Sequence, residues 1–370
     1  MSRSARQLRA NLASIGARDR TIVAFEGRCR VHSKKRITSF DIAEKAGVSQ
    51  ATVSRALRGD PSVSEETRRR VEAAAATLNY TVDKNASNLR SKLAGTIALL
   101  FFEDPTPDDS HINPFFLSML GSITRACARH GYDLLISFQE LARDWHADFA
   151  ESKKADGIIL LGYGDYEEYK PRLERLVAQG THFVRWGPVL TSEPGVSVGS
   201  DNAQGGYDVT HHLLAQGRQR IAFLGHATSH YPEFFDRFRG YERALMEARV
   251  PMSAALQVDA ITTEESGFQA TSELRRRGIE FDAIVAASDL IAIGALRALQ
   301  EAGLEVPRDV AVAGFDDIPA ASLTNPPLTT VMQDTRRAGE LLVETLLRQI
   351  AGESATNSVI PTRLVVRKSG

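Results

Sequence analysis

The chain has 370 residues, 43% hydrophobic and 25% charged, a globular composition with room for two or three domains. Two cysteines, Cys29 and Cys127, exclude a disulfide framework and suit a reducing cytoplasm. No run of ~18 apolar residues predicts a membrane span, and no apolar stretch near the N-terminus reads as a secretion signal. The formal net charge of −1 hides an asymmetry: residues 1–95 carry 19 Lys and Arg against 9 Asp and Glu, and residues 96–370 carry 26 against 37. A basic segment on an acidic body points to a nucleic-acid partner at one end only.

Residues 1–35 are Arg-rich and weakly patterned, and read as a disordered basic extension. A start nearer Val31, or extra phosphate contacts from the extension, fit the same residues. Residues 36–80 read as three short helices. Thr38 or Ser39 caps the first, whose apolar positions are Phe40, Ile42 and Ala43. Gly47 breaks it, because glycine enters a left-handed turn without steric cost. Ser49 caps the second helix, Gln50 to Leu57, with Val53 and Leu57 on one face. Gly59-Asp60-Pro61 ends it. Ser64 caps the third, with Glu65 and Glu66 in its first turn and Val71, Ala74, Ala75 and Leu78 as a buried stripe. A small Ala43, a tight turn and an apolar Val53 are what a helix-turn-helix needs. The second helix then offers Gln50, Ala51, Thr52, Ser54 and Arg55, short polar groups plus one donor fork, to base edges and phosphates. An ordinary three-helix bundle with a solvated second helix fits the pattern as well.

Residues 81–95 are polar and lack a core stripe, so they read as a linker in which Asn85 to Ser91 forms at most a marginal helical turn or two. From Thr96 the pattern alternates. Strand-like runs are TIALLFF, DLLISF, GIILLG, HFVRW, VSVGS, RIAFLG, ALQVDA, AIVAAS and VAVAGF. Helix-like runs between them begin at Phe116, Tyr169, Gly205, Arg237, Glu265 and Leu290, and several close on glycine. Such alternation predicts parallel doubly wound sheets, and the strand count predicts two α/β lobes with a cleft between them.

Ligands in such folds sit at the carboxyl ends of the strands, in the cleft. Phe115-Phe116, after the first strand, either stack on a sugar face or staple a helix start. Arg237 offers a planar fork to vicinal hydroxyls or a carboxylate, and Asp316 accepts hydroxyls. Asp289 reads as a helix N-cap, and Asp201 equally as a cap, a hinge residue or a ligand. Chemistry of a catalytic kind finds little support. His211-His212 are helix neighbours that do not share a face, neither cysteine lies in a thiol or metal motif, and no nucleophile elbow or phosphate loop occurs. The expectation is therefore a non-enzyme without metal or cofactor.

AGVSQATVSRALRG followed by VSEETRRRVEAAAATLNY closely resembles the DNA-binding headpiece of the lactose/galactose repressor (LacI/GalR) family. DGIILLG, SDNAQGG, RFRGY, the run from ASDLIAIG to VAVAGFDD, and PPLTTVMQD resemble that family's effector domain, so the likeness covers roughly 36–370. It implies an all-α headpiece on a two-lobed, periplasmic-binding-protein-like α/β domain at 96–370. The first lobe would span about 96–199 and 332–355, the second about 201–330 and 357–370. It also implies a cytoplasmic repressor that binds double-stranded operator DNA as a homodimer, or a tetramer, under control of a small-molecule effector, a sugar. A sugar-binding protein without a DNA-binding role is the alternative.

By the same resemblance Gln50, Ala51 and Arg55 read bases and Thr52 and Ser54 position phosphates, with Thr38, Ser39 and Ser49 also counted as DNA-binding. KNASNLRS matches the hinge helix, with Asn85 in it and Leu89 as the leucine wedged into the minor groove. Phe115, Phe116, Arg237, Ser288 and Asp316 match effector positions. Two positions depart from the pattern. Thr262 stands where relatives often have an aromatic, and Arg185, in FVRWG, where they often have an aspartate. An extra cleft cation suits a carboxylate or phosphate, or pairs with an aspartate. Trp186 beside it either supplies the missing stacking or is core.

Overall fold

The computed structural model describes residues 37–57, 59–80, 93–102, 112–139, 143–162, 164–189 and 193–370. The basic extension at 1–35 and the hinge residues Asn85 and Leu89 lie outside the described residues. Contacts divide the chain into two units, one ending at Asp83 and one running from Lys84 to Gly370.

The first unit holds three helices, α1 (Ser39–Ala46), α2 (Gln50–Leu57) and α3 (Glu65–Thr77). Their core is Ile42, Ala43, Ala46, Val53, Ala56, Val63, Val71, Ala74 and Ala75, small enough for close crossings. Phe40, expected among the apolar positions, is instead 66% exposed. Phe40 stands two positions before Ile42, and at ~100° per residue that puts it on nearly the opposite side of the helix from Ile42, at the edge of the buried stripe of Ile42, Ala43 and Ala46.

The second unit contains two six-stranded sheets. The first orders β11 (Ser358–Ile360), β5 (Val196–Ser200), β4 (Phe183–Trp186), β3 (Gly157–Leu161), β1 (Thr96–Phe101) and β2 (Asp133–Phe138), all parallel. The second orders β12 (Arg363–Val365), β10 (Thr329–Met332), β9 (Ala311–Asp316), β8 (Ala283–Ala286), β6 (Ile221–Leu224) and β7 (Gln257–Val258). Only β12 runs antiparallel there, against β10. In each sheet the order reverses once, between β1 and β3 and between β6 and β8, and such switch points open a crevice at the strand ends.

Helices cover the sheets: α4 (Pro114–Arg129), α5 (Tyr166–Ala178) and α10 (Thr335–Ile350) in the first lobe, and α6 (Asn202–Ala215), α7 (Pro232–Glu247), α8 (Glu264–Arg276) and α9 (Asp289–Glu301) in the second. One buried cluster takes in residues of both lobes, including Phe115, Trp186 and Phe315, and a second fills the other face of the first sheet around Leu100, Trp145 and Leu173.

Several expectations need correction. Ser358–Ile360, expected in the second lobe, pairs with β5 of the first sheet. Its neighbour Asn357 anchors it by accepting the Ser197 amide at 2.9 Å, a contact 160 residues apart that local pattern cannot reveal. The chain therefore crosses between sheets three times, after β5, after β10 and after β11. ALQVDA yields only a two-residue strand at Gln257–Val258, because Ala254–Leu256 forms a 3-10 turn. Asp289 is not the cap of α9. Ser288 is, and Asp289 is the first helical residue, fully buried.

Helices α6 and α7 cross where glycines leave no side chain between them. A methyl at Gly240 would overlap the Ala203 carbonyl, and one at Gly206 the Arg237 carbonyl. Backbone cannot yield as a side chain does, so Gly240→Ala should cost about 1–3 kcal/mol by overpacking. The check is chemical denaturation followed by a probe in the second unit. An unchanged midpoint would show that the helices separate freely.

Candidate functional site

On the first unit, Asp41 accepts from both the backbone N–H and the hydroxyl of Thr38, at 2.7 Å each, which fixes the start of α1. Gly47 then turns with φ +65°. Ser49 Oγ accepts the Thr52 amide at 3.2 Å and starts α2. Gln50 Nε2 donates to Ser39 Oγ at 2.9 Å, tying the first residue of α2 to the first of α1. Arg70 donates to the Ala46 carbonyl and clamps the end of α1.

With Val53 and Ala56 turned into the core, α2 presents Ala51 and Arg55 fully outward, four residues apart on one face. Gln50, Thr52 and Ser54 flank them, half-buried. Arg55 makes no ion pair with any described residue, so its fork is available to a partner. The structure thus brings Thr38, Ser39, Ser49, Gln50, Ala51, Thr52, Ser54 and Arg55 onto neighbouring helix starts and one outward face, a shape that suits a major groove.

In the second unit the cleft is built at the ends of β9, β10 and the switch points. Asp316 closes β9 with φ +117° and is 4% exposed. It accepts Gln333 Nε2 at 2.7 Å, and Arg237 Nη1 lies 3.6 Å away. Burial pushes its carboxyl up to about 6, against the pull of Arg237 and then Gln333. Arg237, on α7, donates through Nε to Asn202 Oδ1 at 2.9 Å and also to the Ala287 carbonyl. Its guanidinium lies 3.9 Å from the Phe315 ring centre and 5.1 Å from that of Phe234.

Asp289 behind it is held far above the carboxylate range by burial and by Asp316, while accepting Thr330 Oγ1 at 2.5 Å and the Ile318 amide at 2.8 Å. A cavity of about 230 Å3 opens in front, lined by Phe115, Ser118, Asp316, Asp317, Gln333 and Arg336 among others. Residues of both lobes and of the crossover strand thus share one space.

The remaining expected residues divide. Phe115 lines the cavity, while Phe116 packs edge-on to it at 5.2 Å, buried in the core. Thr262 and Ser288 are already engaged. Asn113 Nδ2 donates to Thr262 Oγ1 at 3.2 Å, Thr262 Oγ1 to Ser288 Oγ at 3.1 Å, and Ser288 caps α9. Asp201 caps α6. Arg185, 1% exposed, lines a separate corner of about 20 Å3 with Gln139, Tyr166, Tyr169, Trp186 and Glu233. Gln333, Asn202, Gln139 and Glu233 were not foreseen. Glu233 carried a signal, since it lies one turn before Arg237 and follows a proline at a helix start.

The lobes touch at the rim. Tyr166 N donates to the His230 carbonyl at 2.8 Å, and His230 Nδ1 lies 2.8 Å from Asp165. Hydrogen bonding to Asp165 raises the His230 pKa above its ordinary 6.5. Asp165 is held below its ordinary 3.8; burial opposes this, and the His230 and backbone hydrogen bonds outweigh it. The raised histidine contributes fully below 6.5 and loses its contribution as pH rises through the raised value. The depressed aspartate contributes above 3.8 and loses its share as pH falls through the lowered value. The latch therefore acts between the two. His230→Asn should melt below the parent near pH 6, with the gap closing well above 6.5. A gap independent of pH, in thermal melts across that range, would remove the latch.

Comparison with known proteins finds one family profile in each unit. The profile of bacterial regulatory proteins of the lacI family matches residues 40–83, and that of the periplasmic binding protein-like domain matches residues 210–370. The HTH-type transcriptional regulator CelR of Thermobifida fusca is 31% identical over 343 residues, covering 91% of this chain and 99% of CelR. The chain belongs to the LacI family. LacI-family architecture also appears in solved structures. A CelR–cellobiose complex is 30% identical, covering 90% of this chain and 100% of that one, with a TM-score of 0.68. A lac repressor dimer bound to operator and the anti-inducer ONPF is 28% identical, covering 90% and 99%, with a TM-score of 0.75. As a LacI-family member the protein is a DNA-binding transcriptional regulator with a helix-turn-helix and two parallel-dominated sheets, and among its described residues no helix is long and apolar enough to cross a membrane.

Proposed function

We propose that the protein is a cytoplasmic repressor, not an enzyme, whose grip on double-stranded operator DNA is set by a carbohydrate bound between the lobes. The observation that carries this is the buried Asp316, which lines a cavity with Phe115 of the other lobe and has Arg237 3.6 Å behind it, in a chain that also bears a basic headpiece. Vicinal hydroxyls bridge such a pair, and an aromatic face covers a sugar ring. The cellobiose held by CelR and the operator held by the lac repressor dimer support the same assignment. Arg55, Gln50 and Ala51 read bases, and Thr38, Ser39, Ser49, Thr52 and Ser54 hold phosphates. Residues 36–80 form the headpiece, 81–95 the hinge with Asn85 and Leu89, and 96–370 the effector and dimerisation domain.

One short helix reads too few bases for a specific site, so the operator is two-fold symmetric and the protein binds it as a homodimer. Selection from random duplex DNA by the full chain, with the mass of the complex measured in solution, tests this reading. The expected result is a palindrome bound by two chains. Recovery of no sequence would leave a carbohydrate-binding protein without a DNA role.

A further inference from the structure

Arg185 is buried to 1% exposure on β4, yet it is poorly satisfied. Its only hydrogen bond among the described residues is a long one, Nη2 to the Pro188 carbonyl at 3.4 Å, and its Nε has no partner. No described carboxylate forms an ion pair with it, in contrast to Arg237 with Asp316 at 3.6 Å. Its guanidinium also lies 5.3 Å from the Tyr166 ring centre, but burying a cation with no carboxylate in ion-pair range opposes folding, so the arrangement calls for a function. The corner it lines sits at the β1/β3 switch point, beside Phe102 and Gly162.

Gln139 lines the same corner. Its Nε2 donates to the Leu100 and Leu161 carbonyls at 2.9 and 3.2 Å, which locks the amide and leaves Oε1 buried without a partner. A donor fork with one long hydrogen bond and an acceptor with none therefore share one small space. Its volume of about 20 Å3 exceeds the ~10–15 Å3 that one water needs, and suits one planar group rather than a ring. Trp186 lines this corner, and its ring packs 5.9 Å from that of Phe115, which lines the larger cavity. Burial pushes the Glu233 carboxyl up, towards its neutral form, against its own backbone N–H and the nearby Arg185 and Arg237.

We propose that this corner seats the carboxylate of a sugar acid, with Arg185 on the carboxylate oxygens and Gln139 Oε1 accepting from an adjacent hydroxyl. The proposal rests on the reading of the cleft as a carbohydrate effector site, and specifies the class of carbohydrate.

Calorimetric titration of the full chain tests it, with glucuronate, galacturonate and gluconate set against glucose, galactose and glucose 6-phosphate. At least one acid should bind on the order of a hundredfold more tightly than its neutral parent, as expected when a buried charge finds its partner. Arg185→Gln should erase that gap, and Arg185→Lys, which keeps the charge without the fork, should keep part of it. Gln139→Glu, which adds a negative charge to the corner, is a second variant that should weaken the acid and spare the neutral sugar. Neutral sugars binding as tightly as acids would overturn the proposal and leave the carbohydrate cleft standing. Binding of the phosphate ester without any acid would overturn the carboxylate assignment. Binding of none of the six would overturn both the proposal and the cleft reading.

Discussion

Asp316→Asn is expected to hold operator DNA about as tightly as the parent and to ignore the sugar that shifts the parent's affinity. The substitution keeps the shape at the end of β9 but removes the charge that faces Arg237 at 3.6 Å and accepts the Gln333 amide at 2.7 Å. A hydroxyl bonded to a carboxylate is worth about 1.5–3 kcal/mol, so sugar affinity should fall by one to two orders of magnitude. The response to sugar should fall with it. A ligand changes DNA affinity only through its differential affinity for two arrangements, typically about 1–3 kcal/mol of coupling. The cavity is lined by α4 of the first lobe, the β9 end of the second and the Gln333–Arg336 crossover, so its occupant registers any movement of one lobe on the other. Fluorescence anisotropy of labelled operator, titrated with sugar, reads the effect. Release at the parent's sugar concentration would remove Asp316 from the site.

Arg55→Ala carries the largest effect on the DNA side. Arg55 stands fully outward on α2, one turn beyond Ala51, and no described residue neutralises it. A fork so placed takes the two acceptors of a guanine, so its loss should cost about 1–3 kcal/mol and relax base preference at one position in each half-site. Selection of binding sites by the variant shows this directly. Unchanged affinity and an unchanged consensus would mean that Arg55 faces solvent in the complex. Ala51, which has no polar group, contributes at most contact with a thymine methyl, so its change to Gly should be milder.

The headpiece was legible because its signals are local. Thr38, Ser49 and Ser64 cap where expected, and Gly47 turns with positive φ. Periodicity also disclosed most of the strands and helices of the second unit. What it missed depends on distant partners. In β10, Thr329 and Thr330 are buried polar residues, tolerated because their hydroxyls reach the Gly370 carbonyl and Asp289. In β11 three residues suffice because Asn357 and β5 complete them. Helix α10, by contrast, carries an ordinary amphipathic stripe of Ala338, Leu342, Val343 and Leu346 behind an Asp334 cap, which the alternation traced to Phe315 leaves out.

The cleft was legible in the same measure. Asp316 and Phe115 line one cavity, and Arg237 lies 3.6 Å from Asp316. Thr262 and Ser288 prove to be bonded to each other, and Asp289 is a buried carboxyl where a cap was expected. The sequence left Arg185 a choice between an aspartate partner and a ligand anion. Among the described residues the structure supplies no such aspartate, and the unforeseen Gln139 and Glu233 stand around it. Such groupings depend on the ends of β1, β2, β3 and β4 meeting the starts of α5 and α7, which no spacing along the chain records.

The most direct test of the account is a titration of operator recovered by selection, held by the full chain, with the six sugars and sugar derivatives named above. The account predicts that at least one of them shifts the DNA-binding midpoint by fivefold or more, the lower end of a coupling of about 1–3 kcal/mol, and that Asp316→Asn abolishes the shift. A midpoint that stays fixed for all six, or a shift that survives in Asp316→Asn, would contradict it.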